Sequence, residues 1–390
     1  MHTPEKNRII SLDMMRGFAI LGIFLVNMLS FHSPILYLDP LSWWEKPVDK
    51  ASYMVVDVLA QGSFYPLFSL LFGYGLVLLY DRTMKRGQSF YPIAFRRLFM
   101  LLAIGIVHAV LIWHGDILIN YALLGILFLL FLRLSGTSLL ITGWLIWIIP
   151  NILLTLLLVI AALFIPGEEV SIYDASMAQE SVEIYQQGSY VEVLEQRVRD
   201  WYAVNNPLNS MFMLISIFPF FLIGGGMAKL KWFERVKELR KPMMIGFLVL
   251  VTFGLLLKIS PYVFSHNLAF EYIQDSLGGP LLAIAFALGF ALWAEKSPEN
   301  KLLRAFAPIG KTSMSNYLLQ SILSTFIFYS YGLGFYNRVS VLTGTLLVIV
   351  IYSLQMVGSS YWLKAHPFGP VEWIWRSVTY KKKQSWKRES

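Results

Sequence analysis

Residues 12–32, LDMMRGFAILGIFLVNMLSFH, decide what kind of protein this chain makes. Their apolar centre is long enough to cross a bilayer, which takes about 20 residues at roughly 1.5 Å each. Both ends carry groups foreign to hydrocarbon. Asp13 and Arg16 open the run three residues apart, so a helix puts them on one face. Asn27 and His32 close it. Ionisable side chains in or beside a spanning helix are costly and face a protein interior or a water-filled cavity. A charged pair at one membrane face, with an amide and an imidazole at the other, points to chemistry or transport across the membrane.

The rest of the chain agrees with this first helix. Of 390 residues, 56% are hydrophobic and only 14% charged, and the mean hydropathy is +0.59. That composition excludes a soluble domain and predicts an all-α, polytopic helical membrane protein. A net charge of +8 would suit nucleic acid, but the basic residues lie in short loops and at the C-terminus, where they orient a membrane protein instead. With no cysteine in the chain, disulfides, thiolate nucleophiles and cysteine metal sites are excluded. The N-terminus, MHTPEKNRIISLDMMRG, is basic like the start of a signal peptide. The run that follows is too long and lacks a small-x-small cleavage site, so it reads as an uncleaved first helix.

Apolar windows long enough to span lie at 12–32, 54–80, 95–113, 116–133, 138–165, 208–229, 242–260, 277–294, 312–332 and 341–363, which predicts about ten transmembrane helices in a single domain, 1–390. With both termini in the cytoplasm, only Lys46, Lys50, Arg197, Arg199, Lys258 and Arg338 of the 32 Lys and Arg fall outside. A missed or extra helix would scramble that alternation. The long connection 166–207 is then an extracytoplasmic acidic loop, with one or two surface helices expected between Ala175 and Tyr202. It reads as a plain connector or as a lid over an outward-facing site. FGPVEWIWR, 368–376, breaks the last span and starts a Trp-bearing interfacial helix, followed by a basic tail to residue 390 whose Lys381–Lys383 would meet anionic headgroups.

Candidate chemistry gathers at two depths. The second window is too long for one span and should break near Gly62 or Pro66, leaving Asp57 and Gln61 four apart on one face near the outer end. His32, Asp57, Gln61, His108, His114 and Asp116 then share one depth. A histidine with a carboxylate partner makes a general base, because the carboxylate fixes the tautomer and stabilises the imidazolium. No metal-ligand spacing such as HExxH is present, so no metal is expected. The plain alternative for each is a solvated interfacial side chain. On the inner face stand Arg96 and Arg97, either positive-inside anchors or a phosphate site, since guanidinium forks match phosphate oxygens, and Arg16, whose plain alternative is an ion pair with Asp13 or another helix. GKTSMSNYLLQS, 310–321, sets Asn316 and Gln320 four apart, with Lys311 at the mouth of that helix. These amides either bond neighbouring helices or line a route between the faces.

RIISLDMMRGFAILGIFLVN, RRLFMLLAIGIVHAVLIWHGDIL, GKTSMSNYLLQS and FGPVEWIWRSVTY together resemble the YeiB-like family of bacterial multispanning proteins, long carried as a domain of unknown function. More distantly, the first helix is similar to membrane acyltransferases, including the lysosomal glucosaminide acetyltransferase. They share an Asp-x-x-Arg-Gly opening, an Asn late in helix one and a His shortly after, here Asp13, Arg16, Gly17, Asn27 and His32. The resemblance implies a bacterial plasma (inner) membrane protein that moves an acyl group from cytosolic acyl-CoA to an extracytoplasmic glycan or lipid-like acceptor. His32 would be general base, Asn27 would position the acyl carbonyl, Asp57 would orient His32, and Arg16, Arg96 and Arg97 would hold the donor's phosphates. His32 is expected to lie past the apolar run with its ring open to water. The rivals are a transporter, whose pathway the same polar residues would line, and a lipid-binding protein without turnover. Membrane lipids are expected partners and an oligomer is compatible with the sequence.

Overall fold

The computed structural model describes residues 9–164, 173–264 and 266–388. The chain opens with α1 (Ile10–His32), a short α2 (Pro40–Trp43) and α3 (Pro47–Leu59), which a break separates from α4 (Phe64–Lys85). Next come α5 (Phe90–Leu111), α6 (Leu118–Phe128) with a tighter turn at Leu129–Phe131, and α7 (Gly136–Phe164). The long connection holds α8 (Ala175–Gln187) and α9 (Tyr190–Asn205), followed by α10 (Pro207–Lys229) and α11 (Val236–Lys258). After α12 (Ser260–Val263), α13 (Leu268–Ile273) runs through a π-helical stretch, Gln274–Gly278, into α14 (Gly279–Lys296). The chain closes with α15 (Lys301–Lys311), α16 (Ser313–Phe328), α17 (Val341–Ala365) and α18 (Pro370–Thr379).

Among the described residues, eight helical segments are long and apolar enough to cross a membrane, and they fill eight of the ten expected windows. The windows 116–133 and 312–332 hold shorter helices, α6 and α16. Burial separates centre from rim. The apolar windows of α1 and α10 are 61% and 67% buried, whereas those of α7 and α11 are 11% and 17% buried and turn their Leu, Ile and Val outward. A helix apolar all round and exposed in this way is matched to lipid. Caps set the helix starts in the long connection: Asp174 accepts from Ser176 and Met177 N–H at α8, and Ser189 with Glu192 forms a capping box at α9. Each such cap contributes about 1 kcal/mol.

Three segments are broken, and the breaks shape the site. The first falls at 60–63, around Gly62. Gly62 has φ +70°, and an added Cβ would lie 2.8 Å from the Asp275 carbonyl oxygen, so conformation and close approach both demand glycine there. Pro66 is not the breaker; it sits in the first turn of α4, where proline is tolerated. Asp57 and Gln61 therefore do not share a helix face, because α3 ends at Leu59 and Gln61 lies in the break. The second break is the π-helical stretch facing Gly62. The third is at Thr312, which divides 301–328 into α15 and α16, so that Lys311 stands inside a broken segment rather than at the mouth of a helix.

The described part of the acidic connection is docked onto the bundle. Asp200 accepts from Tyr37 and Tyr185 hydroxyls, both at 2.6 Å, and from the Gln196 amide at 2.7 Å. The buried Arg197 donates to the Val110 carbonyl at 2.9 Å. Glu168 and Glu169 of the same connection lie outside the described residues.

Candidate functional site

A basic cavity of about 190 Å³ lies between α1, α4, α5, α16 and α18. Arg16, Arg97, Lys311 and Arg376 line it together with one carboxylate, Glu372. Arg16 is held by Asp13 one helical turn earlier, at 3.3 Å. It passes over Gly75, where an added Cβ would approach Arg16 Nη2 to 3.2 Å. Arg97 stacks on Trp375, its guanidinium 3.8 Å from the ring centroid, and Trp375 Nε1 donates to the Arg97 carbonyl at 2.8 Å. Glu372 accepts from the Met314 and Ser315 main-chain N–H groups and from the Ser315 hydroxyl. A carboxylate thus sits at the positive end of α16, where the dipole favours it. Away from the charges the walls are apolar (Ile20, Ile23, Phe72, Leu101, Leu118), ending at Tyr121 and Tyr317.

The second cavity, about 470 Å³, lies toward the other end of α1 and is lined by Asn27, Ser30, Asp57, Gln61, His114, His266, Glu271 and Asp275. His114 Nε2 is 3.2 Å from Ser30 Oγ, and its Nδ1 is 3.6 Å from the Asp200 carboxylate, beyond hydrogen-bond reach. Burial holds the His114 imidazole below its usual range, with the Asp200 charge working the other way. Asp57 accepts from the Tyr262 hydroxyl at 2.8 Å and from the Gln274 amide. Lys258, fully buried, donates to the Gln61 carbonyl at 2.8 Å and to Asp275 at 2.9 Å. At the edge, His266 is 2.8 Å from Glu271, whose hydrogen bond raises the imidazole above its usual range.

One layer of hydrogen-bonded residues separates the cavities. Tyr121, a wall of the basic cavity, donates to the carbonyl of Tyr65, a wall of the other, at 3.0 Å. Tyr317 likewise donates across to the Gly115 carbonyl at 3.2 Å. Against Tyr317 lies His108, with Nδ1 2.7 Å from Asp116 and Nε2 2.9 Å from Ser321 Oγ. Asp116 also accepts from Ile119 N–H at 2.8 Å, which ties the start of α6 to α5 and α16. All three side chains are buried.

The residues singled out from the sequence therefore divide. Asn27, Asp57, Gln61 and His114 share one cavity, while Arg16 and Arg97 share the other. His108 and Asp116 pair in the layer between. His32 departs from its expected setting. It is 1% exposed, both ring nitrogens lack a hydrogen-bond partner among the described residues, and it packs against Trp44, Phe328 and Gly344. Its ring does not reach water, and Asp57 is bonded to Tyr262 and Gln274 instead. Arg96 diverges from Arg97 because adjacent helical positions point about 100° apart; its Nε donates to the Thr379 carbonyl at 2.8 Å. Asn316 and Gln320 zip α16 to α17: the Asn316 amide donates to Ser359 Oγ at 3.0 Å and Gln320 to the Gln355 side chain at 2.8 Å. Sequence reasoning missed Ser30, Asp200, Glu372, Arg376 and the Lys258–Asp275 pair. Only Lys258 carried a signal, a lysine within an apolar window.

The family described as "Protein of unknown function (DUF418)" matches residues 227–382. The Bacillus subtilis (strain 168) protein YxaH is 35% identical over 394 residues, covering 97% of this chain and 96% of that protein. The Escherichia coli (strain K12) protein YeiB is 30% identical over 397 residues, with 96% of each covered. This chain belongs to the YeiB-like family. Both relatives are named as uncharacterized, so they supply a family and a length but no reaction. A 39.9 kDa protein from Bacillus acidopullulyticus, also uncharacterized, matches at 27% identity over 380 residues, covering 96% of this chain and 95% of that protein.

Proposed function

We propose that the protein transfers an acyl group through the bacterial plasma membrane, from a coenzyme A thioester in the basic cavity to an acceptor in the carboxylate-lined cavity. One observation carries the reading: two cavities of opposite charge end against the same thin layer of Tyr65, Tyr121, Gly115 and Tyr317. Arg16, Arg97, Lys311 and Arg376 suit the donor's phosphates, and the apolar wall leads the thioester toward Tyr121 and Tyr317. On the acceptor side His114 is neutral at pH 7, because burial lowers its pKa. It takes the proton of an acceptor hydroxyl or amine as that group attacks the thioester carbonyl. The C–S bond then breaks and the departing thiolate takes up the proton held on His114, which returns the imidazole to its neutral form. Asp200 stabilises the imidazolium and Asn27 orients the carbonyl, while Asp57 contacts the acceptor. The base is assigned to His114 rather than His32 because His114 lines the cavity.

In this reading both termini face the cytoplasm, and reporter fusions should put residues 88, 235 and 385 on that side and residue 185 opposite. Titration of detergent-purified protein with an acyl-CoA tests the donor half, with Arg97→Gln expected to weaken binding in a folded protein. Because the chain has no cysteine, thiol released on turnover is read against no protein background. Failure of every coenzyme A thioester to bind sinks the reading. A transporter is the second reading, favoured by the two broken segments that meet across Lys258 and Asp275, since discontinuous helices build substrate and ion sites in secondary transporters. Solute counterflow in proteoliposomes without thiol release would select it.

A further inference from the structure

The basic cavity has a neighbour on the far side of Pro367 and Phe368, residues that line both. This second compartment encloses about 480 Å³, and its polar lining is Gln88, Arg96, Tyr380 and the stretch 382–385, with Lys382 and Lys383. Among the described residues that line it there is no carboxylate. The tail that supplies the lysines is folded rather than trailing. Lys381 takes a left-handed φ of 49° and turns the chain back. Lys382 N–H then donates to the Ser377 carbonyl at 3.1 Å, Trp373 Nε1 to the Gln384 carbonyl at 2.9 Å, and Arg388 N–H to the Ala365 carbonyl at 2.8 Å. These bonds set the exposed Lys382 and Lys383 beside Arg96. Attraction to a charged lipid surface asks for no such fixed backbone, whereas recognition of one ligand group does.

We propose that this compartment binds a second, remote phosphate of the donor. The donor is then a nucleotide-type carrier with two separated anionic groups, a diphosphate among Arg16, Arg97, Lys311 and Arg376, and a ribose phosphate against Arg96, Lys382 and Lys383. The inference rests on the acyl-transfer reading and deepens it, for coenzyme A carries such a phosphate and dephospho-coenzyme A lacks it.

The test is calorimetric titration of the full chain, in nanodiscs of phosphatidylcholine, with coenzyme A and with dephospho-coenzyme A. Exposed charge pairs contribute up to about fivefold each, so wild type should prefer coenzyme A by about tenfold. Lys382→Gln/Lys383→Gln should bind both ligands alike, at the weaker level. Arg97→Gln should weaken both and keep the preference. Equal binding of the two ligands by wild type overturns the second phosphate site and leaves the donor reading standing. An equal loss for both ligands in the lysine variant overturns it too, since the tail then acts as a general attractor. In nanodiscs containing phosphatidylglycerol, displacement of coenzyme A from wild type but not from the lysine variant would assign the compartment to a lipid phosphate and overturn the nucleotide assignment. If neither ligand binds wild type, the donor reading itself fails and takes this inference with it.

Discussion

His108 and His114 lie close together in the chain, and each has a serine and an aspartate for neighbours, yet the two arrays differ in kind. Around His108 the distances are 2.7 Å to Asp116 and 2.9 Å to Ser321, and nothing in the array lines either of the two cavities. Around His114 they are 3.2 Å to Ser30 and 3.6 Å to Asp200, and both His114 and Ser30 face open space. A closed array whose bonds are all made has no valence left for a substrate; it holds α5, α6 and α16 together. A loose array beside a cavity keeps that valence, and hydrogen bonds at catalytic sites are often long until the substrate arrives. The same three residue types thus make a fastening in one place and, on the proposed function, a reaction centre in the other.

The sharpest way to break this contrast is to remove each imidazole. His114→Ala should cut thiol release from acyl-CoA by about 10²–10⁴-fold while thermal stability changes little. Full turnover in that variant would end the assignment. His108→Ala should act on the fold instead, because it leaves the buried Asp116 with only the Ile119 N–H as a partner, at a cost of about 1–3 kcal/mol. Lower yield and a lower Tm in detergent are the readout, and a normal Tm with lost turnover would mean that the two arrays have been assigned the wrong way round.

A finer test uses pH. Burial lowers the His114 pKa and Asp200 opposes that shift, so the acid limb of the pH–rate profile should lie below the ordinary histidine range. Asp200→Asn removes the opposing charge and should move the limb to still lower pH. A limb that stays put belongs to another group. The smallest effect is expected at His32, where His32→Gln should leave turnover unchanged at a modest loss of Tm. Loss of turnover at an intact Tm would return the general base to His32, as the likeness of the first helix to membrane acyltransferases implies.

That last case marks where sequence stops being legible. Hydropathy is local, so the apolar windows were readable from composition alone, and glycine gave away the break at 60–63. Thr312 gave no such sign, because Lys-Thr-Ser before an apolar run looks like an ordinary helix start. Of the six residues expected at one depth, Asp57, Gln61 and His114 line one cavity together with Asn27, while His32, His108 and Asp116 do not line it. Which way the end of α1 turns His32 depends on α17 and Phe328, far along the chain. Asp200 comes within 3.6 Å of His114 only because α9 folds back onto α5, which no spacing in the sequence encodes. Lys258 lies inside the apolar window 242–260, where a lysine is itself a signal, yet the charge count places it only among the outside residues.

The contact between Glu372 and the start of α16 also bears on how the protein is made. Arg16 emerges from the ribosome long before Glu372, Trp375 and Arg376, which close the same cavity. Insertion of the helices proceeds during synthesis, but this cavity has no wall on that side until α18 is made and docks. A nascent chain therefore lacks this basic pocket until α18 has docked, and a stop codon ahead of α18 would leave the pocket open on that side.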